Sequence, residues 1–341
     1  MAAELSHRER VERALKREEI DRIPVSMWRH FYDKESSAQG LAEAMLAFQR
    51  KFEWDFMKVN PRASYHAEGW GDGSEKDRER LKMISLSQIP FPDMQAPVQK
   101  PEDWAKIEPL PIDEGALAEQ LESLELISAG LNNQVPFIMT VFNPLSVAGY
   151  LVSSLDVLLD DLRNHPDKVM PALEAITDTF IRFSRACLDR GASGLLLATC
   201  AWATKDRLTV AEYNSYARPY DIKLLNSLED AEFNLLHVCR DNNMLETLGD
   251  YPVQAFNWDT RGKGNPTLEA GKTLVHEKFV VGGLPHREVL MSTSPTELHT
   301  ITRELAHVMG STGWALGAGC TYSPEASEEN IVAIRSAVEV S

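Results

Sequence analysis

Short apolar or β-branched runs alternate along the chain with longer segments whose apolar residues recur at helical spacing. That order is the sequence sign of repeated βαβ units, in which crossover helices cover both faces of a parallel sheet. Eight runs read as strands: Arg22–Trp28, Phe56–Asn60, Pro136–Phe142, Gly194–Thr199, Phe233–Cys239, Ala255–Asp259, Phe279–Leu284 and Trp314–Cys320. Helix starts are legible between them. Ser6 to Glu9 and Thr209 to Glu212 fit the capping box, and Ser294 to Glu297 adds Pro295 at the first helical position. Residues 167–190 read as one long helix closed by Gly191.

Eight strands alternating with helices predict an α/β protein, a closed (β/α)8 TIM barrel. The alternative, an open doubly wound sheet for a nucleotide, lacks its phosphate loop. No G-x-G-x-x-G follows the first strand, and Gly271-Lys272-Thr273 has Pro266 where the leading glycine of a P-loop belongs. A length of 341 residues suits a single barrel domain spanning 1–341. The stretch from Glu68 to about Gln120 reads as an insertion after the second strand, a lid over one barrel end.

Composition narrows the partners. Hydrophobic residues at 43% supply a sizeable core, and 51 acidic against 35 basic residues leave a formal charge of −16. A field of that sign repels polyanions, so no nucleic-acid partner is expected. A substrate rich in carboxylates would need a local arginine cluster. No apolar run reaches the roughly 18 residues of a membrane span, and the first residues carry no signal-peptide apolar region. A cytoplasmic chain with no membrane partner is expected. Cys187, Cys200, Cys239 and Cys320 are widely spaced, which argues for thiol or metal chemistry over a disulfide framework.

Catalytic groups of a barrel come from the C-terminal ends of its strands. The fifth predicted strand ends His237-Val238-Cys239, and residues two apart on a strand share a face. The eighth ends at Cys320, able to point into the same mouth. One imidazole and two thiolates suit zinc, with a fourth position left for a substrate or a weak ligand. The residues alone also fit small packed thiols beside a satisfied core histidine. Asp259 and Asn257 end the sixth strand and offer an oxygen ligand or a hydrogen bond behind the ligands, or a plain strand-end cap. His286-Arg287 follows the seventh strand, to meet an anionic group or to open the next helix. His66, Glu68 and Trp70 follow the second, as ligand contacts or as a packed loop. Cys200 reads as a spare ligand or a packing residue, and Cys187 as inert core. No G-x-S-x-G elbow supports a hydrolase triad.

Several segments carry a resemblance: Asp21-Arg22-Ile23-Pro24-Val25, Pro144 to Tyr150, Asp189-Arg190-Gly191-Ala192, LLHVC, FNWD and the late GAGCTYSPEASEENIVAI. From about Arg22 to Val338 the chain resembles the uroporphyrinogen decarboxylase superfamily. True decarboxylases share R-x-P-V-W-F-M-R-Q-A-G-R and a late G-H-G. Here Arg29 matches the first arginine of M-R-Q-A-G-R, but Asp33 replaces the second and Ala318 the histidine. Tyr150 matches a tyrosine that lines the decarboxylase cleft. The other branch, zinc-dependent methyltransferases that work with corrinoid proteins, carries H-x-C and a late cysteine, which His237, Cys239 and Cys320 match. That resemblance implies a zinc site that binds a thiol, typically coenzyme M, as the thiolate that attacks a methylcobamide. Cobalamin-independent methionine synthase is similar in its zinc site.

The leading expectation is therefore a zinc methyltransferase moving a methyl group between a corrinoid protein and a small thiol. His237, Cys239 and Cys320, with Asp259, would hold the metal. Tyr150, Arg29 and His286 would be catalytic residues of the pocket. The chain has no D-x-H-x-x-G corrinoid motif, so a separate protein is expected to carry the corrinoid and dock at the barrel mouth. The resemblance also implies a homodimer. Two rivals follow from the same fold: a metal-free decarboxylase of a tetrapyrrole or other carboxylated substrate, and a non-catalytic partner of a corrinoid protein.

Overall fold

A computed structural model describes residues 4–62, 64–72, 74, 76, 79, 80 and 96–339. Seven parallel strands lie side by side in chain order: β1 (Met57–Val59), β2 (Phe137–Phe142), β3 (Gly194–Ala198), β4 (Leu235–Val238), β5 (Ala255–Trp258), β6 (Phe279–Leu284) and β7 (Trp314–Ala318). Neighbouring strands in space are neighbours in sequence, the order of a singly wound barrel and not of a doubly wound sheet.

The two edges of this sheet meet on residues 24–26. Val25 bridges Leu316 of β7, where the Ser26 amide donates to Leu316 O at 3.0 Å and the Leu316 amide to Pro24 O at 2.8 Å. On the other side, the Asp55 amide donates to Val25 O at 2.9 Å, the Val25 amide to Asp55 Oδ2 at 2.8 Å, and Ser26 Oγ to Phe56 O at 2.7 Å. The result is a curled, TIM-barrel-like α/β sheet. The strand expected over Arg22–Trp28 is thus a one-residue bridge, which corrects the sequence reading. Pro24 has no amide to donate, and the Val25 amide goes to a carboxylate instead of a neighbouring strand.

Alternation along the strands sorts the core into an outside and an inside. Leu195, Leu197, Leu236, Val238, Phe256, Trp258 and Leu316 face the covering helices. Ile138, Leu196, Ala198, Leu235, Ala255, Phe279, Val281 and Ala315 pack together inside. The helix His7–Leu15 opens with the expected capping box at Ser6 and plugs the end where strands begin, putting Val11 and Ala14 into the inner cluster. The long helix runs Pro166–Asp189, and Gly191 follows it at φ 93°, a left-handed turn that favours glycine. Gly271, of the failed P-loop match, sits in the helix Leu268–Leu274, where a Cβ would stand 2.1 Å from the Trp258 ring.

Between β1 and β2 lie two short 3-10 turns, Glu68–Trp70 and Pro101–Lys106, and the helix Gly115–Leu131. Trp104 Nε1 donates to Asp161 Oδ2 at 2.8 Å and fastens the second turn to the helix layer. Residues 81–95, the middle of the expected lid, lie outside the described residues.

Candidate metal centre

The inward face of β4 runs Leu235, His237 and then Cys239 just past the strand. Its register sets His237 beside Ala198 of β3 and Asn257 of β5. Cys320 arrives two residues beyond β7. It can do so because Gly319 passes close to β5: a Cβ there would stand 2.7 Å from Asp259 Cα. His237 Nε2 then lies 2.8 Å from Cys239 Sγ and 3.4 Å from Cys320 Sγ. The three donor atoms all fall within 4.8 Å of one another.

The tautomer of His237 follows from its other nitrogen. Nδ1 is 2.6 Å from Asn257 Oδ1, while Asn257 Nδ2 donates to Val281 O at 2.8 Å and Ala318 O at 3.0 Å. Two carbonyls on one side fix which end of the amide is nitrogen. Oδ1 must therefore accept from Nδ1–H, and the Nε2 lone pair is turned toward the sulfurs. The hydrogen bond from Cys239 holds the Cys320 thiol well below its ordinary range, against burial and aided by His237. The same bond holds Cys239 well above its own. Two thiols and an imidazole nitrogen turned toward them, all within 4.8 Å, are donors that a divalent cation takes by displacing thiol protons, so the donor set fits zinc.

The cluster stands between two spaces. Inward is a cavity of about 60 Å³ lined by Trp28, Lys58, Thr140, Phe142, Tyr150, Leu196 and Cys200. Outward is a cleft of about 1200 Å³, with Arg207, Arg240, Asp241, Asp259, His286 and Arg287 on its walls. The end of β4 is strained where it meets that cleft. Arg240 takes φ 73° and Cys200, past β3, takes φ 44°, both in the left-handed region that non-glycine residues avoid.

The expected site residues separate into those the fold gathers and those it does not. Asp259 is outside the donor cluster. Its Oδ1 accepts the Arg261 amide at 3.0 Å, and its Oδ2 lies 3.6 Å from His286 Nδ1, beyond hydrogen-bond distance. His286 faces the outer cleft, with burial pulling its pKa down. Tyr150 lines the inner cavity, and burial raises its hydroxyl well above the ordinary value. Arg29 lines neither space: its guanidinium lies over the Phe31 ring and donates to Pro324 O at 3.1 Å. Cys200 joins the cavity wall and burial pushes its thiol to about 12, while Cys187 is buried in the helix layer. His66 is buried, with no hydrogen-bond partner for either ring nitrogen among the described residues, and burial drives its pKa to about 3.

Residues 81–340, well over half of the chain, match the family described as uroporphyrinogen decarboxylase (URO-D). The chain belongs to that family. Among curated relatives, it is 20% identical over 320 residues to the methylcobamide:CoM methyltransferase MtbA of Methanosarcina acetivorans, covering 89% of this chain and 90% of that one. It is 25% identical over 218 residues to a uroporphyrinogen decarboxylase of Syntrophotalea carbinolica, covering 62% and 61%. Among solved structures, a methyltransferase from Methanosarcina mazei superposes with a TM-score of 0.79 at 19% identity over 98% of both chains. A putative vitamin-B12 independent methionine synthase from Listeria monocytogenes gives 0.56 at 12% identity over 88% of this chain and 85% of that one. These superpositions extend the shared fold to nearly the whole chain.

Two polar groups at the site, Lys58 and His30, lie outside the residues that the sequence singles out. Lys58 points inward from β1 and is 5% exposed. Its Nζ donates to Asn60 Oδ1 at 2.6 Å, and burial lowers its pKa to about 8 against the pull of Cys320, Cys239 and Cys200. A single lysine inside the apolar run FMKVN, in phase with Asn60, was the signal available. The other is His30, which lines both spaces. Its place two residues beyond Trp28, on the inward phase, pointed to it. Among the described residues, no helix is long and apolar enough to cross a membrane.

Proposed function

We propose that this chain, as one barrel domain over 1–341, transfers a methyl group between a corrinoid carried by another protein and a small thiol, with zinc at His237, Cys239 and Cys320. The observation that supports it most is the orientation of His237. Asn257 commits Nδ1 as a donor and so presents Nε2 to the two sulfurs, an arrangement suited to metal binding. The names of two relatives, a methylcobamide:CoM methyltransferase and a methyltransferase, support the reaction class.

Zinc held there would keep a substrate sulfur deprotonated near neutral pH while leaving it nucleophilic. The protein supplies the rest. Cys239 and Cys320 come from different strand ends and face both the cavity and the cleft. The cleft, about 1200 Å³, is roomy enough to admit a bulky group borne by a docked partner. Lys58 puts a buried cation behind the sulfurs and favours negative charge developing on a bound thiol. The apolar faces of Trp28, Phe142 and Leu196 keep water from the inner side.

The test mixes zinc-replete protein with methylcobalamin and excess thiol and follows the corrinoid spectrum. Demethylation is expected with the wild type and only background with Cys239→Ala. Release of CO2 from uroporphyrinogen, unaffected by Cys239→Ala, would put the decarboxylase reading in its place. Tight binding to a corrinoid protein with no turnover of either kind would leave the non-catalytic one.

A further inference from the structure

The site needs a group to take the proton of an arriving thiol, and its four imidazoles are not equivalent. His237 spends its lone pair on the sulfurs. His286 Nε2 accepts from Arg287 Nε at 3.1 Å. His66 lines neither space. His30 remains. Of the described residues lining the two spaces, only His237, Cys239, Cys320, Thr321 and His30 line both.

The His30 ring is held in one orientation. Glu35, only 4% exposed, places Oε2 at 3.0 Å from His30 Nδ1 and at 3.1 Å from the Phe31 amide. Two N–H donors converge on that oxygen, so Nδ1 carries the ring proton and Nε2 keeps its lone pair. Tyr32 stacks on the imidazole at 5.0 Å and 13°. No described residue hydrogen-bonds to Nε2, and His30 lines both the cavity and the cleft. His30 is also not a member of the donor cluster.

We infer that His30 is the catalytic base that takes the proton of the substrate thiol, with Glu35 as its positioning residue; this rests on the thiol reading above. The S–H bond breaks, an N–H bond forms at Nε2, and the electron pair stays on sulfur. The Glu35 carboxylate offsets the imidazolium charge, and the proton then leaves to water in the outer cleft. A free thiol with a pKa of about 8.5 is mostly protonated at neutral pH, so the transfer is needed on each binding event.

The experiment is stopped-flow mixing of zinc-loaded protein with 2-mercaptoethanol in weak buffer with a pH indicator, read as the rate of proton release, alongside zinc content. Wild type is expected to release its proton quickly. His30→Ala is expected to slow release by about 100-fold with zinc content unchanged, and added imidazole restores the rate. Glu35→Gln falls between the two. His30→Gln serves the same comparison if the alanine variant fails to fold. Release at the wild-type rate in both His30 variants overturns the inference, and so does loss of zinc, which would make His30 a ligand. A zinc-loaded wild type that releases no proton on meeting the thiol overturns the thiol reading itself.

Discussion

Two buried polar layers sit at opposite ends of the same sheet, and they are built differently. Where the strands begin, Asp55 takes Arg10 Nη1 at 2.7 Å, Arg22 Nη1 at 2.6 Å, His7 Nδ1 at 3.0 Å and the Val25 amide at 2.8 Å. Arg10 turns its other nitrogens to Asp21 at 2.7 and 2.6 Å. Every charge there has a partner within the chain, and the network stitches the closing segment 24–26 to β1 and the plugging helix. Where the strands end, Lys58 donates to the neutral Asn60 Oδ1, His286 Nδ1 has no hydrogen bond among the described residues, and two thiols crowd one imidazole nitrogen. Buried polar groups are costly unless satisfied. The first layer is complete and holds the fold; the second leaves polar groups without a partner among the described residues, the condition expected of a site that takes a ligand.

The sharpest way to break that contrast is at Asp55. Asp55→Ala leaves Arg22 without its carboxylate and Arg10 with Asp21 alone, and is expected to cost about 3–5 kcal/mol, read as a fall in the urea midpoint. Zinc bound per folded chain should not change. Loss of zinc with no loss of stability would show that the layers are not independent.

The reverse test is Asn257→Leu, which frees His237 Nδ1. Zinc affinity is expected to fall by about 10–100-fold in competition with a chelator, with a smaller change in midpoint than Asp55→Ala gives. Affinity equal to wild type would remove the tautomer argument.

A third test uses pH. Asp55 is buried, yet His7, Arg22 and Arg10 hold its pKa well below the ordinary value. Its stabilising contribution is therefore present above the unfolded value of about 3.9 and lost as pH falls below it. Asp221 is the opposite case. Burial raises it to about 6, despite hydrogen bonds from Tyr213, Tyr251 and Asn143. Its contribution is present below about 3.9 and is lost as pH rises through about 6, by on the order of 1 kcal/mol per pH unit. Wild type should lose stability relative to Asp221→Asn between these two values, and parallel curves would refute the assignment. The smallest effect is expected at the exposed pair of Arg185 and Asp230, where Arg185→Ala should leave the midpoint unmoved.

How legible each layer was in the sequence follows from the same physics. Strands β1 to β7 were visible because strands buried on both faces read as largely apolar runs, and the caps at Ser6 and Thr209 were visible because their hydrogen bonds are local. The closing segment reads as a strand in sequence but is only a bridge, since its Val25 amide bonds to Asp55, 30 residues away. The convergence of His237, Cys239 and Cys320 on one mouth was legible because alternation and strand ends place them there, whereas their reading as metal ligands over packed thiols came from the family resemblance. Arg29 illustrates the limit: matching a family motif did not say which way its side chain turns. Lys58, His30 and Glu35 matter through three-dimensional neighbours, so only their phase on the strand, or nothing, announced them.

The measurement that tests the central claim most directly is zinc per chain, by elemental analysis, on wild type and on Cys320→Ala at matched fold stability. About one zinc per chain in the wild type, lost in the variant, is the expected result. No zinc in zinc-replete wild type, or full occupancy in Cys320→Ala, would contradict the metal centre and leave the open layer at the mouth to be completed by something else.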